Sequence, residues 1–128
     1  MENKTFSKAI KTMLFLAFLV GTMKVNAQND DYYIQQAKSH QQEAEYYIAQ
    51  AKSHDREVEY YTRETERNLS EADYYMRQKK YDQAESYFSR AYDAMDKANS
   101  YSSRAKNARE RAMDYMKRAE KALQNVSH

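Results

Sequence analysis

The chain has 128 residues, with 21 basic and 19 acidic side chains, one glycine, no proline and no cysteine. The missing cysteines exclude disulfides, thiolate metal sites and a lipid-modified N-terminal Cys. Near-balanced charge gives no net field to draw in nucleic acid or anionic lipid.

The first 27 residues differ from the rest. Lys4, Lys8 and Lys11 precede the apolar run Met13 to Val20, and Lys24-Val25-Asn26-Ala27 follows. This is the pattern of a secretory signal peptide with small residues at its cleavage site. The apolar run falls well short of the roughly 20 residues that span a bilayer. The expected product is a soluble chain beginning at Gln28, periplasmic or secreted, with no membrane insertion of the mature chain.

Loss of residues 1–27 leaves 17 basic and 18 acidic groups, two Leu, two Ile, two Val, one Phe, four Met and all 13 Tyr. That is too little aliphatic bulk for a thick globular core. The remainder contains neither Pro nor Gly and is rich in Ala, Glu, Gln, Lys and Arg. Helix is favoured almost throughout, and strands and tight turns have little to build on.

Residues 34, 41, 48, 55, 62, 69 and 76 (Ile, Gln, Ile, Asp, Thr, Leu, Met) form a heptad a series. Residues 37, 44, 51, 58, 65 and 72 (Ala, Ala, Ala, Val, Thr, Ala) form the d series. A second unbroken series follows, with Tyr81, Phe88, Met95, Ser102, Arg109, Met116 and Leu123 at a. Its d residues are Ala84, Ala91, Ala98, Ala105, Ala112, Ala119 and Val126. Between Met76 and Tyr81 the stripe would swing by about 150° in a continuous helix. A turn at about residues 77–81 resolves the conflict. Asp82 and Glu85 resemble an N-cap and its partner for the second helix, and Asn29, Asp30 and Asp31 place acceptors at the start of the first. The predicted fold is all-α: helices over about 30–77 and 82–125 in an antiparallel coiled-coil hairpin.

Charge supports this pairing, since residues 28–78 carry a net −5 and residues 79–128 a net +4. Folding about residue 80 sets Ala72 against Phe88, Leu69 against Ala91, Ile48 against Ala112, Ala44 against Met116 and Ala37 against Leu123. Large opposes small in most layers. Asp55 and Arg109 fall in neighbouring layers and are expected to form a structural polar pair that sets the register.

The tyrosines repeat every fourteen residues, as Tyr32-Tyr33, Tyr46-Tyr47, Tyr60-Tyr61 and Tyr74-Tyr75. The second of each pair occupies g, beside the seam, and the first occupies f, farther out. Antiparallel packing brings the two g edges together, setting Tyr75 opposite Tyr87, Tyr61 opposite Tyr101 and Tyr47 opposite Tyr115. Asn68, His54 and His40 fall between them. The expectation is an aromatic rung about every 21 Å along one face of a two-helix rod.

The stretch ADYYMRQKKYDQAESYFSRA, residues 72–91, resembles the centre of a tetratricopeptide repeat. Ala72, Tyr75, Ala84, Phe88 and Ala91 fall at that family's signature positions, and KKYDQA is similar to its inter-helix turn. Lys79 stands where the family has Gly, and no copy lies 34 residues away. The resemblance implies a helical hairpin and protein binding.

Chemistry-bearing constellations are sparse. His40 with Glu43 and His54 with Glu57 each share a helix face, but the two units lie about 21 Å apart and cannot share a metal. Met95 and Met116 fit packing better than soft-metal binding. There is no phosphate loop or nucleophile elbow, and two helices make no deep pocket. No catalytic residue, metal or cofactor is implied.

The function expected is therefore an exported, non-enzymatic structural or interaction protein. It would bind itself, as a homo-oligomer, or a partner protein through Tyr46, Tyr47, Tyr60, Tyr61, Tyr74, Tyr75, Tyr87, Tyr101 and Tyr115. The alternative is a carrier of a small aromatic, haem-like or sugar ligand using stacked tyrosines with His40 or His54. A membrane-surface helix is disfavoured by the Ala-rich stripe.

Overall fold

The protein is described by a computed structural model over residues 28–127, so the expected leader at 1–27 lies outside the described residues. The described chain is an all-α hairpin of two helices, α1 (Gln28–Arg77) and α2 (Tyr81–Gln124). Among the described residues there is no strand, and no helix is long and apolar enough to cross a membrane.

The phase break after Met76 becomes a three-residue connection, 78–80. Lys79 N–H donates to the Met76 carbonyl at 3.0 Å, and Lys80 N–H reaches the Tyr75 carbonyl at 2.9 Å. These two bonds are a Schellman cap, which satisfies the last carbonyls of α1. It requires a left-handed residue, and Lys79 takes that role with φ 59°. The Lys80 carbonyl then accepts from Ala84 N–H at 3.1 Å, so Lys80 is the N-cap of α2. Asp82 thus lies inside the first turn of α2, not at its cap, and meets the positive end of the helix dipole from there.

The hairpin divides into two compact units, each built from a piece of both helices. The unit holding the chain ends comprises the described residues 28–49 and 108–127. Its core joins Ala37 to Ala119 and Ala122, with Met116 and Leu123 packed over them, and Ile34 to Val126. Leu123 meets the Ala37 layer, as the heptad register predicts. Asp30, buried, accepts a 2.8 Å bond from Ser127 N–H, 97 residues away. An acid in the first turn of α1, where the sequence places it, thereby also closes the segment that follows α2.

The unit holding the turn comprises residues 50–107. Its buried set is Ala51, Thr65, Asn68 and Ala72 from α1, and Ala84, Ala91, Ala94, Ala98 and Ala105 from α2. Thr65 Oγ1 donates to the Tyr61 carbonyl and Asn68 Nδ2 to the Glu64 carbonyl, both at 2.8 Å, so neither polar side chain is buried unsatisfied.

The structure corrects one expectation in this unit. Leu69, Met76, Phe88 and Met95, placed at the seam by the heptad pattern, are 44–46% exposed, and Tyr81 is more so. The buried stripe of α2 runs along d and g (Ala84, Ala91, Ala98 and Ala105 with Ala94), not along a and d. Alanines at d and g let the backbones approach closely, while paired rings at g hold the g edges face to face. In this unit the a positions lie outside the seam so formed.

Candidate functional site

The fourteen-residue repeat puts one tyrosine of each pair against the other helix and leaves its neighbour outside. In the turn unit Tyr75 stacks on Tyr87 with ring centroids 5.4 Å apart and 14° between planes, and Tyr61 stacks on Tyr101 at 5.8 Å and 11°. In the unit of the chain ends Tyr47 stacks on Tyr115 at 5.8 Å and 13°. All three rungs pair as their heptad positions require. Offset stacks at these separations add about 0.5–1.5 kcal/mol beyond the area they bury.

Cations cover the rungs. Arg90, Arg104 and Arg118 lie over Tyr87, Tyr101 and Tyr115, three residues back on their own helix, at 4.8–4.9 Å from the ring centroids. Lys97 and Arg111 reach across instead, onto Tyr61 at 5.4 Å and Tyr47 at 5.6 Å. The five basic residues recur every seven positions along α2, at heptad position c. That spacing is a sequence signal for the rungs: a cation every seven residues along one helix edge. Tyr75 breaks the pattern: position 83, where the next cation would stand, is Gln.

Tyr75 also stands apart in its electrostatics. Its hydroxyl is held above the ordinary tyrosine value, first because a phenolate there would be repelled by Tyr87. Burial, the nearby Glu71 and Tyr74, and a hydrogen bond with Tyr87 push in the same direction.

The histidines join the rungs as well. His40 leans on Tyr115 at 5.9 Å and His54 on Tyr101 at 5.8 Å, each tilted by 36–37°. Both imidazoles therefore sit against aromatic faces. Among the described residues no group of three or more His, Cys, Asp or Glu is placed to hold a metal ion. Asp55 and Arg109, expected as a polar pair, are each half-buried.

The outer tyrosines behave differently. Tyr32, Tyr46, Tyr60 and Tyr74 each touch the inner ring beside them edge-on, at 5.0–5.4 Å and 73–76°. Each remains 54–59% exposed. Each such ring is held against its neighbour while more than half of the residue stays exposed, so it is preorganised for a further contact.

Comparison of the chain with models of known protein families, with curated proteins and with solved structures finds no match. No family match supports the tetratricopeptide resemblance of residues 72–91, where the structure shows a helix–turn–helix.

Proposed function

We propose that this chain is an exported, non-enzymatic interaction protein that docks on another protein through the outer tyrosines of α1. The observation that carries this reading is the division of labour within each Tyr-Tyr pair. Tyr47, Tyr61 and Tyr75 are consumed by stacking across the hairpin, whereas Tyr46, Tyr60 and Tyr74 contribute little to it and stay half-exposed. Tyrosine offers a large, stiff contact surface with a polar tip, which is why it is enriched at protein interfaces. The tetratricopeptide-like turn supports protein binding as the class of activity.

Changing Tyr46, Tyr60 and Tyr74 to Ser should lower capture of the partner protein while leaving helicity and melting almost unchanged. Inner-ring substitutions should damage both. A protein that is monomeric at high micromolar concentration, captures no partner from its own periplasm or medium, and is indifferent to the outer-ring changes would refute the proposal.

A further inference from the structure

We infer that a second copy of this chain covers the apolar face formed by Leu69, Met76, Phe88 and Met95 in the turn unit. This face is separate from the tyrosine rungs. Positions a and g flank d on opposite sides of a helix, so rungs at g place the a residues of both helices on the other face.

The Tyr75–Tyr87 and Tyr61–Tyr101 stacks set residue 76 level with 86 and residue 69 level with 93. Met76 therefore lies within about 3 Å, along the axis, of the level of Phe88, and Leu69 within the same distance of Met95. The four side chains form two adjoining apolar levels, bounded by Tyr81 at the turn and by Thr62 and Ser102 at the far side.

This face contrasts with the rest of its heptad series. In the unit of the chain ends Ile34 and Ile48, also at a, are buried, and Met116 and Leu123 pack on the core. In the turn unit the buried side chains are all small or polar, and the large apolar ones remain outside. Two such faces packed together would form a four-helix bundle that buries the bulk each hairpin leaves out.

The flanking charges select a second copy and its orientation. At e beside the face, α1 carries Glu59, Glu66 and Asp73, whereas α2 carries Glu85, Tyr92, Asn99 and Lys106. A two-fold axis parallel to the helices sets α1 of one copy over α2 of the other. The α1 carboxylates then meet a phenol, an amide and an ammonium, Glu85 comes level with Arg77 of the other copy, and the net −5 segment faces the net +4 segment. An axis perpendicular to the helices sets one acidic column against the other. The i,i+4 pairs of Glu59 with Arg63 and Asp73 with Arg77 are solvent-exposed, and such pairs only weakly offset that repulsion.

Sedimentation equilibrium of the full chain, and of the chain beginning at Gln28, tests the inference. Both should form dimers. Leu69→Ser with Phe88→Ser should weaken association by at least about a hundredfold, near 2.7 kcal/mol, with helicity by circular dichroism retained at low concentration. Tyr60→Ser with Tyr74→Ser should leave the dimer intact, which separates this face from the tyrosine reading. A parent chain that stays monomeric into the high micromolar range overturns the inference. So does a Leu69/Phe88 variant that still dimerises, or a dimer lost when residues 1–27 are absent.

Should the Ser variant fail to fold, the parent carrying Asn107→Cys with a nitroxide label decides the matter. The parallel axis predicts inter-copy distances near 30 Å, about two helix diameters plus the label arms. A distance near 50 Å, as a perpendicular axis through the face would give, or no inter-copy coupling, contradicts the inference.

Discussion

Lys79 occupies a left-handed conformation that suits glycine, in a turn whose two capping bonds both depend on it. A side chain with a Cβ pays roughly 1–2 kcal/mol for that conformation, and glycine returns part of the gain through its freer unfolded state. Lys79→Gly should therefore stabilise the hairpin by about 0.5–1 kcal/mol, read as a higher urea midpoint with an unchanged slope. A lower midpoint would show that the lysine side chain makes a compensating contact. The second residue-scale prediction concerns Tyr75. Its raised hydroxyl pKa means that the unfolded chain releases this proton first. Its contribution to stability is thus complete below about pH 10, the ordinary tyrosine value, and fades as pH rises from there through the folded value. Gln83→Arg supplies the missing member of the cation column and should move the Tyr75 titration downward, followed by phenolate absorbance against a Tyr75→Phe control. No movement would mean that the regular column of cations has no electrostatic effect on the rings.

Among the elements, the two helices, their turn and their register were legible in the sequence for physical reasons. An all-helical composition cannot absorb a five-residue step in its heptad phase without a break, and tyrosines at g on both helices, joined by a short turn, admit one antiparallel register. The roll of the turn unit was not legible in the same way. Assigning the bulkiest residues to the seam put Leu69, Met76, Phe88 and Met95 inside, whereas alanines at d and g pack closer and leave those four half-exposed. The bond from Ser127 to Asp30 joins residues 97 apart and has no local signature. The rungs themselves yield a prediction about the elements. Tyr101→Leu keeps the helix but removes the Tyr61 stack, the His54 contact and the Arg104 cation–π pair. The loss should be about 2 kcal/mol, whereas Tyr60→Ser should stay within about 0.5 kcal/mol. Equal melting shifts from the two would show that inner and outer rings share one role.

At the scale of the whole molecule, two helices of opposite net charge are joined by a seam built mostly of alanine, and among the described residues no large side chain is fully buried. Apolar and aromatic surface is correspondingly left outside the seam. The inner rings and their cations add to the stability of the pair, and in the function proposed above the outer rings serve recognition. The most direct test is the aromatic NMR spectrum of tyrosine-labelled protein as extract from its own exported compartment is added. The ring signals of Tyr46, Tyr60 and Tyr74 should shift or broaden first, while those of Tyr61 and Tyr101 hold. A spectrum that does not change, or one in which only the inner rings respond, would contradict the account.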